Sequence, residues 1–168
     1  MILSKFSLED KIAIVTGSGR GIGKGIALGL ARAGAHVVGC ARTLEQAEAT
    51  AAEIRELGPK SIAIQTDVRD NDQVRNMVKK TVEEFGRLDV IVNNAGGGFT
   101  VPALDMSERA WDALIRENMR PVFLCCKAAA EVMVPQKKGA IINISSIAGL
   151  GGGIGSSGYG SAKAGVIN

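Results

Sequence analysis

Tyr159 and Lys163 stand four residues apart in SSGYGSAKAGVIN, residues 156–168. On a helix that interval is about one turn, so both side chains lie on one face. A free phenol holds its proton too tightly to act as a base at neutral pH, and a neighbouring ammonium favours its ionised form. The pair therefore has the make-up of a proton-transfer device. Taken alone it reads as an ordinary exposed i,i+4 pair, and only the motifs around it favour the chemical reading. Ser146, at the carboxyl end of an apolar run, offers a hydroxyl that could hold a carbonyl oxygen toward Tyr159. His36 is the only histidine, which excludes a His-based metal site and a Ser-His-Asp triad.

The elements that must position these groups are legible as an alternation. Short β-branched runs occupy 12–16 (IAIVT), 35–40 (AHVVGC), 61–65 (SIAIQ), 88–92 (LDVIV) and 140–145 (AIINIS). The first, fourth and fifth are nearly continuous apolar segments, the pattern of strands covered on both faces. Between them lie 22–33, 44–57, 71–85 and 107–134, with apolar residues at helical spacing. Gly34, Gly58-Pro59 and Gly86 fall where helices should stop. The alternation predicts an α/β fold: a Rossmann-like, doubly wound parallel sheet with about five strands, residues 1–168 forming one domain. Function should then sit at the carboxyl ends of the strands. Within 107–134, Pro121 removes a backbone N–H, so the helix should kink or loosen around residues 117–118, beside Asn118. A simple kink carrying a polar side chain is the alternative there.

The first strand runs into TGSGRGIG, residues 16–23, and then into helix. The glycines let the backbone turn sharply and approach a pyrophosphate, while the helix N-terminus offers unpaired N–H groups. Gly17, Ser18, Arg20, Gly21, Ile22 and Gly23 are thus candidate dinucleotide-binding residues. The strict G-x-G-x-x-G spacing is not met in any register, and a plain tight turn is the alternative. A carboxylate after the second strand would select NAD by accepting from the ribose 2′-hydroxyl. Here GCARTLE, residues 39–45, has no acid before Glu45, and Arg42 stands where a guanidinium could meet a 2′-phosphate. The expected cofactor is NADP, with NAD possible.

Bulk properties set limits. The 20 basic and 17 acidic residues are too balanced for a nucleic-acid footprint, and Lys137-Lys138 suits a solvated turn. No apolar run reaches the roughly 18 residues of a membrane span, and the start, MILSKFSLEDK, does not read as a signal peptide. Cys40, Cys125 and Cys126 show neither metal-ligand nor redox spacing, which suits buried thiols in a reducing, cytoplasmic setting. No nucleic-acid, membrane or metal partner is expected.

TGSGRGIG, TDV (66–68), NNAG (93–96), ENMRPVF (117–123), NISSIAG (143–149) and YGSAK (159–163) occur in order along the chain. Together they resemble the short-chain dehydrogenase/reductase family, particularly its 3-oxoacyl-carrier-protein reductase-like members. The resemblance implies that Asp67 and Val68 flank an adenine and that Asn93 lies along the adenosine ribose. It implies a catalytic tetrad of Asn118, Ser146, Tyr159 and Lys163. In such a tetrad Asn118 marks a site where a water relays protons to the lysine, and Lys163 also reaches the ribose beside the nicotinamide. Ser146 is preferred over Ser145 by its interval to Tyr159, and because an alternating strand would point the two serines to opposite faces.

The implied reaction is hydride transfer between a nicotinamide and a small-molecule ketone or secondary alcohol, a 3-oxoacyl thioester or generic ketone, with Tyr159 as general acid/base. Phe99, Val101, Leu104 and Leu150 suggest an apolar substrate pocket. Alternatives are a non-catalytic nucleotide-binding fragment and a sugar-nucleotide epimerase, although the latter usually spaces its last two loop glycines differently. Relatives continue past the tyrosine helix through two further strands. The expectation is therefore a chain with its C-terminal strands missing, an uncovered fifth strand, and a homo-oligomer (tetramer or dimer) in the complete chain.

Overall fold

Runs such as IAIVT carry no polar face, so they are stable only between two covering layers. The computed structural model describes residues 5–168 and places them so. The elements run β1 (Ile12–Thr16), α1 (Gly21–Arg32), β2 (His36–Ala41), α2 (Leu44–Glu56), β3 (Ser61–Gln65), α3 (Asn71–Phe85), β4 (Val90–Asn93), α4 (Glu108–Asn118), α5 (Arg120–Gln136), β5 (Ala140–Asn143) and α6 (Ser157–Ile167), with short 3-10 turns at Ala103–Asp105 and Ile147–Gly149.

All strand pairs are parallel, in the order β3-β2-β1-β4-β5. The order reverses between β1 and β4, and in open sheets of this kind that crossing leaves a crevice at the strands' carboxyl ends. Alternation along each strand splits the core in two. Ile14, Val38, Ile64 and Ile91 pack with Met77, Leu88 and Leu124 on one face. Val15, Val37 and Val92 pack with Ala27, Ala31 and Ile54 on the other.

The helices begin and end for identifiable reasons. Asp70 caps α3 by accepting from the backbone N–H groups of Asp72 and Gln73, and Gly86 ends it in the left-handed conformation, φ 77°. Ser107 caps α4 by accepting from the Ala110 N–H. The helix expected over 107–134 is two helices, interrupted at Met119, so the break falls one residue beyond Asn118. Pro121 supplies the cause, having no N–H to give to the Glu117 carbonyl.

The fifth strand differs from a covered strand: β5 is a sheet edge, and all four of its residues are exposed. It also stops at Asn143, short of Ile144 and Ser145. No described helix is long and apolar enough to cross a membrane.

Candidate active site

The glycine loop turns because Gly17 and Gly21 take left-handed φ values of 67° and 57°. Gly23 meets a different demand. A Cβ there would lie 2.2 Å from the Gly17 carbonyl oxygen and 2.5 Å from Asn94 Nδ2. Only hydrogen fits between the start of α1 and the end of β1. Two further contacts seat the loop on its neighbours: the Ser18 N–H donates to the Cys40 carbonyl (3.1 Å), and Thr50 Oγ1 on α2 donates to the Ser18 carbonyl (3.0 Å).

The first turn of α1 has no side-chain cap and no acidic residue, and Arg20 stands at its N-cap. Its N–H groups therefore remain available to an anion, in a field that favours one. This cradle opens into a cavity of about 630 Å³ that runs from Arg20, Arg42, Asp67 and Val68 at one end to Tyr159 and Lys163 at the other. Two exposed guanidiniums at the first end and a row of backbone donors at the centre match the charges of a phosphorylated dinucleotide. The residues fit such a cofactor.

Gly17, Arg20, Gly21, Ile22, Gly23, Arg42, Asp67, Val68, Tyr159 and Lys163 all line this one cavity. Ser18, Asn93, Asn118 and Ser146 do not, and each for a physical reason. Ser18 is fully buried beneath the loop, its Oγ without a hydrogen-bond partner among the described residues. Asn93 faces the β5 side instead: its Nδ2 donates to Asn143 Oδ1 at 2.8 Å. Asn93, expected along a ribose, therefore borders β5 with its side chain and is not part of the cavity lining. The next residue, Asn94, takes the position on the cavity and donates from Nδ2 to the Thr16 carbonyl at 2.9 Å.

Asn118 is also fully buried, its side chain fully engaged. Oδ1 accepts from the Gly97 N–H (3.1 Å), while Nδ2 donates to the carbonyls of Gly97 (2.7 Å) and Leu114 (2.9 Å). The side chain thus pins the loop after β4 rather than reaching the cavity. Ser146 Oγ accepts from the Ala148 N–H at 3.2 Å, capping the short turn that follows. Ser145 is the serine on the cavity, with its Oγ donating to the Lys163 carbonyl at 2.8 Å. Because β5 ends at Asn143, strand alternation does not apply to these serines.

Tyr159 and Lys163 share a face of α6 as their spacing requires, with Lys163 Nζ 5.8 Å from the centre of the Tyr159 ring. Lys163 is buried and donates to the Ile144 carbonyl at 2.8 Å. Burial holds its ammonium below the usual lysine range. The loop after β4 approaches the tyrosine closely enough that a Cβ on Gly98 would sit 2.9 Å from its ring. The apolar residues expected to wall a pocket do not close one. Phe99, Leu104 and Leu150 are exposed, as are Ile147 and Ile154 nearby in sequence.

Arg69 was not singled out by any motif. Its guanidinium grips both carboxylate oxygens of Asp67 and also reaches Glu117 at 3.2 Å. The Arg69 guanidinium holds the Asp67 carboxyl below the usual carboxylate range. The cue in the sequence is an Arg two residues past an Asp at a strand end. Its Glu117 partner lies 48 residues away and leaves no local trace.

Three comparisons bear on this site. The family model described as short chain dehydrogenase matches residues 11–168. The chain is 45% identical over 162 residues to a 3-oxoacyl-acyl-carrier-protein reductase of Synechocystis, covering 96% of this chain and 66% of that protein. It is 47% identical over 158 residues to the reductase FabG of Staphylococcus aureus, covering 94% and 64%. A solved structure from Sinorhizobium meliloti, described as a short-chain alcohol dehydrogenase, superposes with a TM-score of 0.92 at 38% identity, over 96% of this chain and 64% of that one. The chain therefore spans 64–66% of the length of these two curated relatives.

Proposed function

The chain belongs to the short-chain dehydrogenase family, and from that premise we propose that it is an NADP(H)-dependent oxidoreductase acting on a ketone or the corresponding secondary alcohol. One observation carries the proposal: Tyr159 and Lys163 face the same cavity as an uncapped helix N-terminus and two exposed arginines. A proton-transfer pair beside a dinucleotide cradle suits hydride chemistry, which needs both groups in one place.

Arg20 and Arg42 would hold the 2′-phosphate, and the N–H groups opening α1 the pyrophosphate. When bound, the nicotinamide supplies a hydride to the carbonyl carbon. Tyr159 gives its hydroxyl proton to the carbonyl oxygen as the C=O π bond breaks, leaving a phenolate. The Lys163 ammonium stabilises that phenolate, and burial, by weakening its hold on its own proton, eases return of a proton to the tyrosine. Ser146 adjoins Ser145 at the cavity edge; its oxygen accepts from the Ala148 N–H, and its O–H would turn toward the substrate oxygen to steady it. Asn118 acts through Gly97, holding the loop that packs against Tyr159. The open apolar surface of Phe99, Leu104, Leu150 and Ile154 suits an acyl chain, in keeping with a 3-oxoacyl thioester as substrate.

The test is Tyr159→Phe, in a preparation that turns over NADPH with a 3-oxoacyl thioester. It should lower kcat by at least ~100-fold while leaving NADPH affinity nearly unchanged. Near-normal turnover would remove Tyr159 from the mechanism.

A further inference from the structure

Two ends of the cavity are joined by a chain of polar contacts that the catalytic groups do not require. At the arginine-rich end, Arg69 Nε and Nη2 hold Asp67 at 2.9 Å and 2.6 Å. Its remaining terminal nitrogen, Nη1, donates to Glu117 Oε1 at 3.2 Å. Arg120 adds a bond from the far side of the helix break, donating from Nη1 to the Arg69 carbonyl at 3.0 Å. Glu117 and Arg120 therefore straddle Met119, where α4 gives way to α5. Between Glu117 and the break lies Asn118, which grips Gly97 through both its N–H and its carbonyl.

We propose that Arg69 is a positioning residue that ties the adenosine end of the cofactor cleft to the Gly97 loop at the catalytic end, acting through Glu117 and the helix break. The inference rests on the cofactor assignment above. Asp67, Arg69 and Glu117 all line the cavity, so an adenosine seated against Asp67 and Val68 touches the first member of the chain directly. The break is the element able to respond. Pro121 leaves the Glu117 carbonyl without its helical donor, so small rotations there cost less than in an unbroken helix. Gly97 is the receiver, and it is anchored to Asn118 alone among the side-chain contacts described for it.

Stability does not account for the arrangement. The Arg69 and Glu117 side chains are 32% and 38% exposed, and pairs so open contribute little to folding. Its removal should leave the fold intact, which makes the coupling accessible to experiment.

The probe is adenosine 2′,5′-bisphosphate, which carries the adenosine end of NADP and no nicotinamide. It is titrated into the 15N-labelled chain, reading the backbone amides of Gly17, Gly21 and Gly97 and the Asn118 side-chain amide. In the native chain all four should shift. In Glu117→Ala, with the Asp67–Arg69 fork intact, Gly17 and Gly21 should still report binding, while the Gly97 and Asn118 shifts fall by at least about two-fold. Arg69→Met should uncouple them as well. If Gly97 moves equally in Glu117→Ala, or stays still in the native chain while Gly17 and Gly21 move, the coupling is overturned and the cofactor site stands. If none of the four responds, the NADP site itself is wrong and the coupling falls with it.

Discussion

Replacing Gly23 by alanine isolates the cradle from everything else in the site. The added Cβ would lie 2.2 Å from the Gly17 carbonyl oxygen and 2.8 Å from the Gly17 carbonyl carbon. Carbon and oxygen ordinarily meet no closer than ~3.3 Å, so one must retreat by about 1 Å. Neither can do so cheaply. Both belong to main chain, and the loop is seated by the Ser18–Cys40 and Thr50–Ser18 bonds on one side and by Asn94 on the other. Overpacking of this kind costs about 1–3 kcal/mol of stability.

The same displacement moves Gly21 and Ile22 off the anion position, so NADPH affinity should fall at least ~10-fold, or about 1.4 kcal/mol. Gly25 provides the control. It lies two residues further along α1, on the opposite face, exposed, with nothing within 4 Å of a built Cβ. Gly25→Ala should stabilise the chain by about 0.5–1 kcal/mol through helix propensity and leave cofactor affinity alone. Urea unfolding and NADPH fluorescence titration measure both quantities on both variants. Native affinity and native stability in Gly23→Ala would refute the close-packing argument, and with it the claim that the loop is held in place rather than merely flexible.

Arg42→Asp should weaken NADPH and favour NADH, moving the ratio of affinities by at least ~10-fold; a native chain that already prefers NADH contradicts the role given to Arg42. Asp67 is held ionised by Arg69, so its native state binds fewer protons than the unfolded chain just below pH ~4. The stability from this pair is complete above that value and drains as pH falls through the lower native one. Asp67→Asn should flatten the acid limb of unfolding free energy against pH, and an unchanged slope would dismiss the pair. Along β5, Ile141 and Ile142 are exposed on an open parallel edge, a template for strand pairing. Ile142→Lys should reduce concentration-dependent light scattering of this chain, and equal scattering would show that the edge is not the contact.

Strands and helices were legible where burial imposes a period. IAIVT and the α3 pattern read correctly because each residue's neighbour in space is set by its neighbour in sequence. The helix break was legible from Pro121, though its place at Met119 was not, because the Asn118–Gly97 bonds that hold α4 intact to its end come from a distant loop. Asn93 and Asn94 turn their side chains to different sides, one to β5 and one to the cavity, and NNAG alone does not say which does which. Ser145 and Ser146 were judged by alternation in a strand that had already ended. Arg69, Thr50 and their partners were invisible for a common reason. Each bond joins residues 32 to 48 positions apart, and nothing local marks them.

The glycines around the catalytic pair show how composition becomes geometry. In GYGSAK a helix is interrupted twice by its poorest ordinary former, a cost of about 1 kcal/mol at each glycine relative to alanine. The structure shows what offsets that cost. A Cβ on Gly158 would press on Leu114 of α4 at 2.7 Å, and one on Gly160 would strike the Ala148 carbonyl at 2.7 Å. These two residues flank Tyr159, so α6 lies against α4 on one side and the turn after β5 on the other. Gly149 returns the contact, with room for no atom between itself and the Lys163 backbone. Lys163 is then fixed twice, through its Nζ on Ile144 and through its carbonyl on Ser145. A helix built to be stable alone would place alanine at 158 and 160, and would stand farther from both neighbours. Tyr159 reaches the cavity only because α6 gives up helix propensity for contact. The placement of the proton-transfer pair is therefore a property of the residues beside it as much as of the pair itself.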